Sequence, residues 1–462
     1  MKKELTREEL KAKAEKPGKI SLLAHAFYGG KIGVAPKCWT REIEELHPLS
    51  VWYTPGVAKP CLAIKEDPMR VFEFTNKANR VWIISNGTRV LGLGDIGPEA
   101  GEPVMEGKAL IFNLFGGIDA MSLSVKEKNP DKFIELVKNV TPSVGGINLE
   151  DIRQPDCFYI LQKLQNELEI PIWHDDQQGT AAIVLAGVIN ALKFVGKKKE
   201  GVIFSQLGIG AAGYSVVRVL IKMGVPPGNI RVVDLVNGEP TLLTKEMDLE
   251  KLFPYRGEML SGTNADRVKG GVPEALKGAD VMISFTKPGP GVVKPEWIKQ
   301  MTKDAIVFPC ANPIPEIWPE EAKQAGAKIV ATGRTDFPNM CNNSLIFPAV
   351  FRGALDVMAS KITTEMTVEA SMAVAKYQQR KGLDEFHILP TMDDTDVFVE
   401  EAVAVGLKAI EQGVARKILT EDELRTKAKN TISRTQKIAE ILMKKGIIKK
   451  FRPAPERSTV RD

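Results

Sequence analysis

Several classes of protein are excluded by what this sequence has little of. Its five cysteines, at 38, 61, 157, 310 and 341, are scattered and form no C-x-x-C pair. Zinc or dithiol redox work at that spacing is therefore excluded, and a reducing, cytoplasmic location is expected. No stretch reaches the roughly 18 uninterrupted apolar residues that span a bilayer. Residues 1–20 are charged and carry no apolar core, so no secretory leader is expected there. Lys and Arg number 63 against 58 Asp and Glu, a net +5 that is small for 462 residues. That balance points to neither nucleic acid nor a membrane as a partner. Solenoid-type repeats and low-complexity segments are absent too.

The remainder is ordinary globular composition, 44% apolar and 26% charged. A chain this long outgrows one core and implies two or three domains. Two short acidic pieces organise it, Asn148-Leu149-Glu150-Asp151 and Trp173-His174-Asp175-Asp176-Gln177-Gln178-Gly179-Thr180. Each follows a strand-like apolar run, and Cys157 to Leu168 between them has helical spacing. A strand, helix and strand in succession make a βαβ unit, whose strands run parallel. Both acidic pieces then emerge at one carboxyl edge, where open α/β proteins bind ligands. One aspartate pair alone is well explained as a helix N-cap. Four carboxylates at one edge repel each other unless a cation sits among them, and oxygen ligands suit Mg2+ or Mn2+.

Upstream, Thr6 and Glu9 form a capping box, and residues 17–50 read as a wrapping arm. Tyr53 stands beside the Pro55-Gly56 turn, as a packing tyrosine or one held for chemistry. Val81–Ser85 reads as a strand, followed by a polar turn and a glycine-spaced strand through Asp95. Lys108 is pressed against the apolar Ala109–Phe115 segment, where desolvation lowers an ammonium pKa toward that of a base. The same placement suits a lysine that snorkels out of a helix.

A second architecture begins at Gly201. Val202–Leu207 is a buried strand, then Gly208-Ile209-Gly210-Ala211-Ala212-Gly213 opens a helix, and Asp234 closes the next strand about twenty residues on. In that setting G-x-G-x-x-G is a strong dinucleotide fingerprint: backbone meets pyrophosphate at the helix N-terminus and the acid meets the adenosine ribose. Because a carboxylate repels a 2′-phosphate, Asp234 favours NAD, with NADP as the alternative. Further strands are expected at Ala279–Phe285, Ala305–Cys310 and Lys328–Thr332. Asn312 and the Asn342-Asn343 pair follow strand ends and suit a carboxylate or carboxamide, or cap turns. Val397–Val414 and a helix capped by Thr420 and Glu423 end the chain, the latter with Leu424, Ala428, Ile432, Ile438 and Leu442 near one face.

The motifs YTPGVA (53–58), NGTRVLGLGDIG (86–97), PVMEGKA (103–109), GGINLEDI (145–152), HDDQQGT (174–180), GIGAAG (208–213), ANPIPEI (311–317), TGRTDFPN (332–339) and NNSLIFP (342–348) occur in that order. With them the chain resembles the malic enzymes, especially the short bacterial and archaeal form. The resemblance implies an α/β fold: a doubly wound Rossmann-type domain plus an α/β substrate and metal domain, with helical N- and C-terminal extensions. It places the substrate domain at 1–176, the NAD(P) domain at 177–343 and a returning helical part at 344–462. It implies Tyr53 as general acid, Lys108 as general base, Asp175 as the acid that assists the lysine, and Glu150, Asp151 and Asp176 as metal ligands. Arg89, Asn312 and Asn343 match contacts to substrate carboxylate and nicotinamide. Gln178 stands where short members usually have His, and Thr286–Gly291 carries a lysine and extra Pro-Gly beside the cofactor. The implied reaction is metal-dependent oxidative decarboxylation of malate to pyruvate, in a homodimer or higher homo-oligomer. Oxaloacetate decarboxylation, a malolactic reaction and a non-catalytic nucleotide sensor are the rival readings.

Overall fold

The computed structural model describes residues 20–28, 31–33, 35, 37 and 46–452. The capping box at Thr6 and Glu9 lies outside them. One sheet comprises β1 (Arg80–Ser85), β2 (Asp119–Ser124), β3 (Gly146–Glu150) and β4 (Ile172–His174), in the order β2-β1-β3-β4 and all parallel. Helix α1 (Pro98–Gly116) joins β1 to β2, and α2 (Asp156–Glu167) joins β3 to β4. Every residue of β3 and β4 is buried, as expected of parallel strands covered on both faces. The glycine-spaced strand expected before Asp95 does not form. Leu91 and Gly94 take positive φ, 47° and 81°, which folds the segment into a turn closed by one Val90–Gly94 bridge.

The second sheet holds β5 (Phe204–Leu207), β6 (Ile230–Val236), β7 (Glu239–Leu242), β8 (Val281–Ser284), β9 (Ala305–Pro309) and β10 (Ala327–Val330). Its order, β10-β9-β8-β5-β6-β7, is the doubly wound 3-2-1-4-5-6 counted from β5. Strand β7 was not anticipated from the sequence, and it runs antiparallel to β6. Its cause is local: Asn237 and Gly238 both take positive φ, 52° and 86°, as a two-residue hairpin demands.

Helix α3 (Thr180–Val195) is shared by both halves, and Ala181 to Val188 are all buried. Asp175–Val195 is long and apolar enough to cross a membrane by length and composition, but most of it is buried inside the fold. Helix α4 (Ala211–Lys222) follows the glycine turn. The C-terminal helices are α5 (Phe347–Asp356), α6 (Thr364–Lys381), α7 (Asp396–Glu411) and α8 (Glu421–Lys444). They do not form a separate body: α5 and α8 pack on α1, and α6 packs on α3. Phe112 of α1 meets Phe347 and Phe351 of α5 at ring-centroid distances of 4.6 and 5.3 Å. The capping box at the start of α8 forms, with the Thr420 N–H donating to Glu423 Oε2 at 2.8 Å. Burial along α8 ends at Ile432, however, and Ile438 is exposed. The helix outruns the surface it packs on.

Candidate active site

Parallel pairing of β3 with β4 sets Leu149 beside His174. The next residues, Glu150-Asp151 and Asp175-Asp176, therefore leave the sheet side by side. Asp151 turns sharply at φ 53°, a left-handed conformation that aspartate tolerates better than most residues, and its N–H donates to Asp176 Oδ2 at 3.0 Å. After β4 the chain takes one wide turn, Asp175–Gly179, in which the Thr180 N–H reaches back five residues to the Asp175 carbonyl. Such π-type turns cluster at functional sites. Here the turn swings the Asp175 carboxylate over Gly179, where a Cβ would lie 1.9 Å from Oδ1. Only glycine fits.

Lys108 enters from α1 and is buried. Its Nζ hydrogen-bonds Asp175 Oδ2, lies 3.2 Å from Glu150 Oε1 and sits 4.5 Å from the Phe347 ring centroid. Trp173 Nε1 donates to the other Asp175 oxygen at 3.0 Å, and Asn148 Nδ2 donates to Glu150 Oε2 at 3.0 Å. Burial alone would lower the Lys108 pKa, as the sequence led us to expect. The charges of Asp175, Glu150 and Asp176 outweigh it, so the ammonium is held above its ordinary value. Burial, reinforced by mutual repulsion, pushes the carboxylates up, Asp151 to about 8. His174, wholly buried, is held down at about 3.

Glu150, Asp151 and Asp176 offer oxygen atoms that all lie within 4.8 Å of one another. Asp151 Oδ2 is buried without a hydrogen-bond partner among the described residues. An all-carboxylate set with an unsatisfied oxygen fits a hard divalent ion.

The glycine turn faces this cluster across one cleft of about 880 Å3. Lys108, the three clustered carboxylates and Arg89 line it on one side; Gly208, Gly210, Ala211, Ala212 and Asp234 line it on the other. Asn312 and Asn343 complete its wall. Asp175 lies behind Lys108 rather than in the wall. Gly213 packs beneath the turn, where a Cβ would come within 2.0 Å of the Gly208 carbonyl oxygen. Tyr53 is not brought to the cleft: it ends the short helix Pro48–Trp52 and is 69% exposed.

Three contributors escaped the sequence reading. Glu316, fully buried, accepts from Ser284 Oγ at 2.6 Å and from the Thr286 and Ala311 N–H groups at 2.9 and 3.0 Å. It thereby fixes the loops after β8 and β9, and its place in ANPIPEI was the available signal. Gln154 and Arg256 tie the turn to the metal-side loop, through contacts no motif foretold.

A parallel sheet and a mostly parallel one, the second presenting a dinucleotide turn to a buried lysine and carboxylates on the first, define a nucleotide-dependent enzyme of the α/β class. The chain belongs to the malic enzyme family. The family model for the malic enzyme N-terminal domain matches residues 34–129 and 120–165, and that for the malic enzyme NAD binding domain matches 177–411. An NAD-dependent malic enzyme of Geobacillus stearothermophilus is 44% identical, over 84% of this chain and 78% of its own. A bifunctional malic/malolactic enzyme of Bacillus subtilis is 41% identical, over 88% and 97%. An NADP-dependent malic enzyme of Escherichia coli is 39% identical over 93% of this chain but 56% of its own. Among solved structures, a malic enzyme from Pyrococcus horikoshii matches with TM-score 0.86 and 53% identity, covering 90% of this chain and 95% of that one. One from Entamoeba histolytica matches with TM-score 0.93 and 40% identity, covering 97% and 93%.

Proposed function

We propose that this protein converts L-malate to pyruvate and CO2 while reducing NAD, with Mg2+ or Mn2+ held by Glu150, Asp151 and Asp176. The observation that carries this reading is the single cleft in which Lys108, ion-paired to a buried aspartate, stands beside that carboxylate cluster and faces the dinucleotide turn. When bound, the ion supplies Lewis-acid stabilisation of developing negative charge and the dinucleotide accepts a hydride. The chain's own groups do the rest. With a divalent ion offsetting the carboxylates that hold Lys108 protonated, its ammonium would give a proton to Asp175, its hydrogen-bonded neighbour, and the resulting amine would take the proton of the C2 hydroxyl. Arg89, Asn312 and Asn343 orient the substrate and the carboxamide. Phe347, at the cleft wall, keeps water from the lysine. Asp234 sets the preference for NAD, because a 2′-phosphate would meet its carboxylate.

Tyr53 protonates C3 of the product enolate, and it does so from a second copy of the chain. Its own chain leaves it outside the cleft, at the end of a short helix on which Leu49 and Trp52 are exposed as well. An uncovered apolar patch of that kind marks an association surface. A cytoplasmic homodimer or higher homo-oligomer is therefore the working form. Steady-state assays with malate, Mn2+ and NAD or NADP test the reading. Pyruvate and free NADH in equal amounts, both abolished by EDTA, are expected, with kcat/KM higher for NAD. Lactate without free NADH would replace the reading with a malolactic one.

A further inference from the structure

Arg256 lies between β7 and β8, far in sequence from both halves of the cleft, yet it bonds to each. Its Nη1 donates to the Ile209 carbonyl oxygen at 2.6 Å and to Gln154 Oε1 at 2.8 Å. Its guanidinium is flanked by Phe158 of α2 and by Phe253, at 4.9 and 5.4 Å from their ring centroids. The residue is 6% exposed, a depth at which a cation is retained only when it is well paired. Its Nε has no partner among the described residues, so the two bonds from Nη1 carry the attachment.

Both ends of this attachment matter. Ile209 lies inside the glycine turn, and its N–H donates to Asp234 Oδ2 at 2.9 Å. The residue is thus pinned on one side by the ribose-reading carboxylate and on the other by Arg256. Gln154 follows the metal-ligating Asp151 by three residues. The segment between them is short and fixed: Ile152 is buried, and the Arg153 N–H donates to Thr88 Oγ1 at 3.0 Å. A Cβ on Gly210 would lie 3.7 Å from Gln154 Oε1, so this loop stands directly across the turn. A displacement of the turn on pyrophosphate binding would therefore be transmitted to Gln154, and through the short segment to Asp151.

We infer that Arg256 is a positioning residue which, through Gln154, couples dinucleotide binding at the glycine turn to divalent-cation binding at Asp151. The inference rests on the dinucleotide and cation assignments of the cleft. It goes beyond them in linking the two sites through a residue outside both.

The test uses NADH and Mn2+ as probes on the whole protein. NADH affinity is measured by fluorescence with and without saturating Mn2+, and Mn2+ affinity with and without NADH. Coupling is reciprocal, so both ratios in the wild type are expected to agree, at about tenfold. Arg256→Met and Gln154→Ala should each bring the ratio below about twofold, under the roughly fivefold lower end of ordinary couplings. Arg256→Lys should keep part of it, since an ammonium retains the charge and donors for the two acceptors but not the flat guanidinium packed against Phe158 and Phe253. A merely structural arginine would lower Tm and leave the ratio untouched. If Arg256→Met fails to fold, Gln154→Ala decides alone. Unchanged coupling in the variants, or none in the wild type, overturns the latch while the site assignments stand. Failure to bind either probe would overturn those assignments as well.

Discussion

Lys108 is a buried cation beside four carboxyl groups, and removing it has two separable effects. Methionine at 108 keeps the volume and the Phe347 contact but loses the proton acceptor. Malate oxidation should fall by about 10²–10⁴-fold, the usual worth of a general base. NADH binding at the glycine turn should be unaffected; a parallel loss of NADH affinity would mean that Lys108 shapes the cleft rather than the chemistry. A second residue is informative for the opposite reason. Glu401 on α7 is fully buried, both its carboxyl oxygens lack a partner among the described residues, and burial raises its pKa well above the ordinary value. The folded state therefore keeps a proton that the unfolded chain loses above about pH 4.3. Stability from this group is full below that pH and declines as pH rises toward the folded pKa, by at most about 1.4 kcal/mol per unit. Glu401→Gln removes the titration. Its Tm advantage over wild type should be small at pH 5 and grow toward pH 8; a gap independent of pH would show that Glu401 does not titrate in that range.

At the scale of elements, strand β5, the glycine turn and α4 act as one unit because Gly213 lets the helix rest on the turn. Gly213→Ala puts a methyl group 2.0 Å from the Gly208 carbonyl oxygen. The helix must lift, which should cost about 1–3 kcal/mol of stability and weaken NADH binding with it. A fluorescence titration giving the wild-type NADH affinity would refute that account. This unit was legible in the sequence because its signals are local: an apolar run, three glycines and an acid at fixed spacing. The acidic strand ends were legible for the same reason, since the βαβ rule alone puts them on one edge. What escaped depends on residues distant in the chain. Arg256 reaches Ile209 across 47 positions and Gln154 across 102. The upward shift of Lys108 depends on carboxylates from β3 and from the turn after β4, so burial, the only influence visible locally, gave the wrong sign. Strand β7 is a different case, because Asn237-Gly238 is a hairpin signal that was present and passed over.

At the scale of the molecule, a single chain supplies every proposed group to the cleft except Tyr53. That tyrosine ends the short helix that exposes Leu49 and Trp52, an apolar surface of the kind that association covers. A closed two-fold pair would let each copy deliver its tyrosine to the other's cleft. The arrangement makes a prediction that no arrangement within one chain shares. Tyr53→Phe and Lys108→Met are each expected to be nearly inactive in malate oxidation to pyruvate. When the two are refolded together or co-expressed, half of randomly paired dimers are hybrids, and each hybrid holds one cleft with both residues intact. Activity should return to about a quarter of wild type, as two-fold pairing with one good cleft in four requires. If Tyr53 serves its own chain, every cleft in every hybrid lacks one of the two groups, and the mixture stays as inactive as its parents.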